Sequence, residues 1–370
     1  MKIILISFLG RGGMLHYSSQ LANALSEKNE VALVIPSYCN TDYFNKNISI
    51  IRINAPPNAL KTFVNSFNFF ALFKLLQTIR IFNPDIIHFV NDHPWNIIIC
   101  IFLKNIKKVL TLHDPIPHEK NFPGKVIQPF FSICDKITIN QVNKIIVHGK
   151  YLKAVCISLG IPELKIAVIP HGEYSFFNKK GKVSPINCTP YQKNILFFGR
   201  IEPYKGLEYF IRAADEVIKS IPDISITIAG DGNFYPYKKL IVNTPNFIII
   251  NRYISDEEVN ALFYNTDIVV LPYISATQSG VIPIAYAFKK PVIASSVGAI
   301  PEVVDNGLTG YLVPPKDIGA IANAIIKLMN NDVLRNTMGE NGYKKSETEL
   351  SWKVIAKKHE TTYQNLFNRL

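Results

Sequence analysis

The chain has 370 residues, of which 48% are apolar and 18% charged, and its formal net charge is +12. This length suggests two domains, and the many apolar side chains exclude an intrinsically disordered chain. Residues 1–190 contain 21 Lys and Arg against 10 Asp and Glu, whereas residues 191–370 contain 19 against 18. A basic first half is typical of proteins that meet nucleic acid or an anionic membrane, although a lysine-rich, AT-rich coding bias gives the same excess.

Five cysteines are scattered along the chain without a CxxC pair, which favours reduced apolar fillers over a disulfide or zinc framework. The N-terminal MKIILISFLG resembles a signal peptide, but Gly10 follows without a cleavage pattern, so we expect a first β-strand. No uninterrupted apolar run approaches the roughly 20 residues of a spanning helix. The sequence predicts a cytoplasmic protein that can lie on the inner face of the cell membrane.

Short apolar runs alternate with amphipathic stretches in the first half, which predicts a parallel sheet covered by helices on both faces. The segment KTFVNSFNFFALFKLLQTIRIF (61–82) predicts an apolar helix with interspersed Lys and Arg. Such a helix is either buried with basic ends or faces a membrane. The predicted strands are 3–9, 31–35, 85–90, 109–113, 144–149 and 166–172.

The alternation breaks at 173–193, a stretch with Gly, Pro, Asn and Lys that we interpret as an interdomain linker. A second series follows, with strands at 194–200, 223–230, 247–251, 267–273 and 291–296. The predicted fold is α/β, with Rossmann-like domains at 1–172 and 173–352 and a helix at about 353–370 that packs back on the first. Two such doubly wound domains would face each other across a ligand-binding cleft.

Two stretches that follow predicted strands contain residues suited to binding phosphate groups. In Gly10-Arg11-Gly12-Gly13 the glycines let the backbone approach a phosphate at a helix N-terminus. Leu15 replaces the third glycine of a dinucleotide fingerprint, and no acidic residue ends the second strand, which counts against a nicotinamide-dependent dehydrogenase. In FFGRIEPYKG (197–206), Arg200 and Lys205 suit a pyrophosphate, although two solvated surface cations would give the same pattern.

A set of motifs then occurs in one order across most of the chain: LGRGG, PDIIHFV, TLHD, VHGKYLK, FFGRIEPYKG, IAGDGN, RYISDEEV, DIVVLPY and PVIASSVGAIPEVVDNGLTGYLVPPKD. In this combination the sequence resembles the retaining glycosyltransferases of family 4, which have the GT-B fold. The resemblance implies transfer of a hexose-type sugar from a nucleotide diphosphate sugar to an acceptor hydroxyl, on a glycan or a lipid-linked polysaccharide precursor. It also implies that no metal and no cofactor are needed, and no DxD motif is present.

The resemblance carries over to individual positions. Arg200 and Lys205 match the pair that grips the donor pyrophosphate, and Gly12 and Gly13 match the loop that faces the donor phosphates. His113 in TLHD matches the histidine near the transferred sugar. Finally, Ile254 matches the position whose backbone contacts the nucleobase.

The sequence departs from the family where two glutamates usually stand, because Ala276 and Ile284 occupy those positions. The family's usual side chains for the contacts to donor sugar and ribose are therefore absent from these two positions, and this chain resembles a branch of the family with ATQSG in place of the first glutamate. Backbone amides of this segment at a helix N-terminus can bind the β-phosphate, and the side chain of Gln278 or Ser279 can hydrogen-bond hydroxyls of the sugar or the ribose. We assign donor binding here to Thr277, Gln278, Ser279, Gly280 and Val281.

Without a carboxylate nucleophile, a front-face attack is expected in which the leaving phosphate takes the acceptor proton. The alternatives are a non-catalytic GT-B-fold subunit that binds a glycan or a partner, and a nucleotide-sugar epimerase. Nucleic acid is not an expected partner, because aromatic and basic residues alternate in one helix only. His88 and His148 lie at strand ends, where substrate contact and a structural role both stay open.

Overall fold

The computed structural model describes residues 1–56, 59–115, 124–178, 193–242 and 244–368. The chain divides into a first unit, Met1–Pro170 with Trp352–Leu370, and a second unit, His171–Ser351. Of the predicted linker, residues 179–192, which include Cys188, lie outside the described residues.

The first unit is built on a parallel sheet of seven strands in the order β3-β2-β1-β4-β5-β6-β7. Its strands are β1 Lys2–Ile6, β2 Glu30–Pro36, β3 Ser49–Ile53, β4 Ile86–Phe89, β5 Lys107–Thr111, β6 Lys144–Val147 and β7 Ile166–Val168. Its helices are α1 Gly13–Leu25, α2 Ala59–Asn65, α3 Phe69–Phe82, α4 Trp95–Phe102, α5 Gly124–Gln141 and α6 Lys150–Ser158.

The second unit repeats this plan with six parallel strands in the order β10-β9-β8-β11-β12-β13. Its strands are β8 Lys193–Phe198, β9 Ile224–Ala229, β10 Phe247–Ile250, β11 Ile268–Leu271, β12 Val292–Ser295 and β13 Gly310–Val313. Its helices are α7 Leu207–Ser220, α8 Asp256–Tyr264, α9 Val281–Ala287, α10 Ile300–Val303, α11 Ile318–Met329 and α12 Asp332–Thr348. The last helix of the chain, α13 Trp352–Gln364, belongs to the first unit and contacts α1.

Both sheets are buried on both faces, which explains the continuous apolar runs in the sequence. In β1, Ile4 and Ile6 point into one hydrophobic cluster, and Ile3 and Leu5 point into another. The same alternation in β8 sends Phe197 to one face of the second sheet and Leu196 to the other. The predicted doubly wound α/β architecture of two domains is therefore confirmed for each unit.

Two details of the sequence analysis were wrong or incomplete. The segment 61–82 forms no single helix, because α2 ends at Asn65 and α3 starts again after Asn68, whose Oδ1 accepts from the Ala71 amide at 3.1 Å. The strands β3 and β13 were not predicted. Both are short edge strands. No helix in the described part of the chain is long and apolar enough to span a membrane.

Each of the two sheets has one position at which the order of its strands reverses. In the first sheet the order reverses between β1 and β4, and in the second it reverses between β8 and β11. The loops that leave two such strands run in opposite directions and leave a crevice at the carboxyl ends, where ligands of open α/β sheets bind. The motifs singled out in the sequence follow these strands.

Candidate functional site

The crevice of the second unit is formed where backbone passes close to backbone. Gly206, at φ 67°, ends the loop after β8, and a side chain there would come within 1.9 Å of the Pro272 carbonyl oxygen. Gly298, at φ 55°, brings the loop after β12 equally close to the Ala276 carbonyl. Since only glycine permits these approaches, three loops are held together at the carboxyl edge of the sheet.

A buried cation lies at the centre of this arrangement. Lys205 is 9% exposed, and its Nζ donates to the Tyr273 hydroxyl at 3.2 Å and lies 5.0 Å from the centroid of that ring. In the described part of the chain, no carboxylate comes within ion-pair distance of Lys205 or of Arg200, which is exposed. A buried ammonium group with only a neutral protein partner favours an anionic ligand.

Gly199 leaves space for the ammonium group of Lys205. It has φ 119°, and a side chain there would come within 2.7 Å of the Lys205 Nζ. Gly230, after β9, packs so closely on the Gly199 carbonyl that it also has no room for a side chain. The glycines of FFGRIEPYKG and IAGDGN thus fix the course of the loop that carries Arg200.

The segment that replaces the expected glutamates lines the same crevice. The Ser279 Oγ lies 3.5 Å from the Tyr273 hydroxyl and accepts from the Val281 amide at 3.3 Å, so the first amide of α9 is already bonded. Thr277, Gln278 and Gly280 are half-buried, and the Ala299 amide donates to the Thr277 carbonyl at 3.2 Å. Lys205 and this neutral segment are therefore brought together around Tyr273, which the sequence analysis did not single out.

The two positions of the missing glutamates differ in the structure. Ile284 is 7% exposed and belongs to the hydrophobic cluster under α9, so its side chain contributes to the core. Ala276 is half-buried in the crevice loop. Ile254 is also a core residue, but its backbone amide makes no hydrogen bond within the part of the chain that the structure describes. That amide can donate to a base.

The crevice of the first unit is shaped by the loops after β1 and β4. Gly12 has φ 54° and caps α1, and among the described residues no neighbour lies within 4 Å of the place its side chain would take. Gly13 is the first residue of α1, whose first turn has no acidic side chain. The Asn91 Oδ1 accepts from the Phe8 amide at 2.8 Å, and the Phe8 ring stacks on His93 at 3.9 Å.

The predicted sugar-contacting residue, His113, lies at the exit of β5 with both ring nitrogens engaged by protein atoms. Its Nε2 is 3.1 Å from the Val90 carbonyl oxygen, and its Nδ1 is 3.0 Å from the Nε2 of His148. Burial lowers the pKa of His113 below its usual value, while Asp114 acts in the opposite direction. His88 is fully buried between Tyr363 and Thr111, which gives it a structural role.

Asp92 is a further candidate that the sequence analysis missed. It follows β4, and its Oδ1 is buried without a hydrogen-bond partner among the residues that the structure describes. Burial, with smaller contributions from Asp135 and Asp114, raises the pKa of Asp92 to about 8. At neutral pH this carboxyl group is therefore largely protonated and can donate a hydrogen bond to a ligand.

Comparison with known proteins identifies related sequences for both units. Residues 11–172 match the model of Glycosyltransferase Family 4, and residues 192–331 match that of Glycosyl transferases group 1. An uncharacterized glycosyltransferase of Methanocaldococcus jannaschii is 27% identical over 245 residues, which are 63% of this chain and 60% of that protein. The match thus spans less than two thirds of the relative's length.

Solved structures share the fold over the whole chain. Sucrose-phosphate synthase from Thermosynechococcus elongatus has a TM-score of 0.79 at 20% identity and covers 99% of both chains. The Anabaena protein HepE, solved in complex with UDP, has a TM-score of 0.74 at 18% identity and covers 99% of this chain and 100% of its own. At these identities the likeness concerns the fold.

The raised pKa of Asp92 provides a test of the crevice in the first unit. An Asp whose folded pKa is raised stabilises the fold fully below its unfolded pKa of about 4, and this contribution is lost as pH rises towards about 8. Asp92→Asn removes the ionisation, so its melting temperature should exceed that of the wild type by a margin that grows over this range. The exposed Asp42→Asn is the control. A margin that stays constant or shrinks with pH would contradict the assignment.

Proposed function

We propose that this chain transfers a sugar from a nucleotide diphosphate sugar to an acceptor hydroxyl, since it belongs to glycosyltransferase family 4 and has the GT-B fold. The observation that carries the proposal is the buried Lys205, which has a neutral partner in Tyr273 and no carboxylate within ion-pair distance in the described part of the chain. A diphosphate supplies the missing negative charge. The solved complex of HepE with UDP concerns a protein of this fold.

The donor diphosphate would lie against Arg200 and Lys205, with the sugar and ribose near the segment 277–281. Arg200 is exposed and offers a planar fork of donors to phosphate oxygens, whereas Lys205 is a fixed point charge. Negative charge develops on the leaving diphosphate during transfer. Donors that are already in place at that charge stabilise the transition state without rearrangement.

A neutral pocket around the sugar is compatible with this chemistry. The hydroxyls of Tyr273 and Ser279 and the half-buried Gln278 side chain can bond sugar or ribose hydroxyls. Because Ile284 lies in the core, the ribose contact that the family takes from that position must come from another group. None of these residues adds a negative charge beside the diphosphate.

The proposed mechanism is a front-face attack with retained anomeric configuration, without metal or cofactor. The segment 277–281 holds no carboxylate that could form a covalent intermediate. The acceptor hydroxyl would pass its proton to the departing phosphate, while Arg200 and Lys205 hold that phosphate. We propose His113 as the residue beside the transferred sugar, and Gly12 and Gly13 as the loop that faces its phosphates. The nucleobase would be read by the Ile254 backbone.

We further propose that the acceptor is a glycan or lipid-linked precursor presented at an anionic membrane, on whose cytoplasmic face the protein binds peripherally. The first unit exposes a set of large apolar side chains, here called the aromatic ridge: Leu60, Val64, Phe67, Phe69, Phe70 and Phe73. Phe70 is 81% exposed and Phe69 64%. A patch of this kind on a soluble surface marks an interaction site.

The surroundings of the ridge favour an anionic lipid surface as its partner. Residues 54–84 contain Lys61, Lys74 and Arg80 and no acidic residue. Behind the ridge, Phe63 packs against Phe130 of α5 with ring centroids 5.0 Å apart, which holds α2 on the unit. Burying one Phe side chain contributes about 2 kcal/mol, and each nearby cation adds about 1 kcal/mol at an anionic surface.

The donor site is tested by removing its cations. Lys205→Ala and Arg200→Ala should each lower turnover about a hundredfold, because the leaving diphosphate loses a charge that it needs most in the transition state. Both should also weaken binding of the nucleotide diphosphate that the wild type binds among UDP, GDP and ADP. The control is Lys289→Ala, an exposed cation of the second unit that pairs with Glu340.

Wild-type turnover in both variants would contradict the donor assignment. Conversion of the donor without any acceptor into an epimeric sugar would instead establish the epimerase alternative. Binding of a glycan without turnover of any donor would establish the non-catalytic alternative.

The membrane assignment is tested by sedimentation with vesicles. The wild type should bind phosphatidylcholine vesicles that contain phosphatidylglycerol at low salt, and Phe70→Ser with Phe73→Ser should reduce the bound fraction at least tenfold. The control pair, Tyr235→Ser and Val333→Ser, removes apolar side chains of the second unit that are 74% and 78% exposed. Failure of the wild type to bind, or equal losses in both pairs, would contradict the assignment.

A further inference from the structure

Two histidines link four neighbouring strand exits of the first unit in one line of polar contacts. The Nε2 of His113 lies 3.1 Å from the carbonyl oxygen of Val90, which follows β4. The Nδ1 of His113 lies 3.0 Å from the Nε2 of His148, which follows β6. The Nδ1 of His148 lies 3.0 Å from the carbonyl oxygen of Ile169, which follows β7. The line therefore crosses the carboxyl ends of β4, β5, β6 and β7.

The number of hydrogens on the ring nitrogens of His113 and His148 follows from their hydrogen-bond partners. Carbonyl oxygens only accept, so the outer nitrogen of each ring must carry a hydrogen. A neutral imidazole has one hydrogen, which leaves two lone pairs facing each other across the 3.0 Å between His113 and His148. One additional proton between the facing nitrogens completes the line. The pair then holds three ring protons and a single positive charge.

The surroundings hold both rings in place. Tyr17 of α1 packs edgewise on both, with centroid distances of 5.0 Å to His113 and 5.4 Å to His148. His148 is 5% exposed. Burial lowers the pKa of His113, and the neighbouring Asp114 acts in the opposite direction. The other titratable groups next to the pair are Tyr17, whose pKa is raised by burial, and His88 on β4, whose pKa is lowered by burial and also by His113.

We propose that His113 and His148 share one proton and titrate as a single group, and that His148 is the positioning residue for His113. When the proton is bound, His113 is fixed between two partners. When it leaves, the facing lone pairs repel, and one ring must turn or give up its carbonyl. The charge of the pair and the position of His113 therefore change together.

This inference rests on the proposed function only where it gives His113 a place beside the sugar. The shared proton itself is a property of the protein without donor or acceptor. In the enzyme, kcat/KM should fall as pH rises through the pKa of the pair, because His113 then loses its fixed orientation.

The direct test is nitrogen NMR of the imidazole rings in histidine-labelled wild-type protein, from about pH 5 to about pH 9. The expected result is a common titration of His113 and His148 with one proton taken up by the two rings together. Two independent titrations, each reaching a full imidazolium, would overturn the proposal. So would two rings that stay neutral over the whole range.

The variant His148→Gln separates positioning from charge. Its side-chain amide can donate to the Nδ1 of His113 but cannot titrate, so activity should be largely retained while the alkaline fall in kcat/KM disappears. His148→Leu should lower kcat/KM at every pH. The control His171→Gln changes a histidine of the second unit whose Nδ1 lies 2.9 Å from the Gly172 carbonyl. An unchanged pH profile in His148→Gln would overturn the positioning role, and the NMR result on the wild type does not depend on how these variants fold.

Discussion

The position of the Lys205 ammonium group depends on close backbone contacts that only glycine allows. Gly206 and Gly298 let the loops after β8 and β12 touch the loop after β11, and Gly199 leaves space for the Nζ itself. A side chain at any of these positions would separate the loops or displace the cation. The chemistry proposed for the second unit therefore rests on backbone shape first and on charged side chains second.

The neutral character of the crevice follows from the same arrangement. A carboxylate beside Lys205 would satisfy the cation in the free protein and would repel a diphosphate. Tyr273 instead offers a hydroxyl oxygen and a ring face, which hold the ammonium without cancelling its charge. The cost of burying this cation without a carboxylate among the described residues would be offset by the proposed anion. The loss of the usual glutamates is thus consistent with a working anion site.

The sequence predicted the alternating strands and helices because strands buried on both faces must be almost wholly apolar. It missed β3, with the sequence SIIRI, and β13, with GYLV, because these edge strands are short and only partly buried. It also missed the break before α3, where Asn68 acts as a helix cap inside an apolar run. A polar residue among phenylalanines is a weak signal until its side chain is seen to bond the backbone.

For the proposed site, sequence reasoning singled out residues that carry charge or lack a side chain, and their roles stay predictions. It could not find partners that the strand order brings together. Tyr273 meets Lys205 across 68 positions, and His148 meets His113 across 35. The sequence also does not tell where the side chains at the two glutamate positions lie. In the structure, Ile284 lies in the core and Ala276 lies in the crevice loop.

The most direct measurement is a panel of UDP-, GDP- and ADP-linked sugars, read by the melting temperature of the wild-type protein and by release of the nucleotide diphosphate. Ligands that bind only the folded state raise the melting temperature. The account predicts that one donor does so and is slowly hydrolysed without an acceptor. A folded protein whose melting temperature no donor changes, and which releases no nucleotide diphosphate, would contradict the central claim of a nucleotide-sugar site.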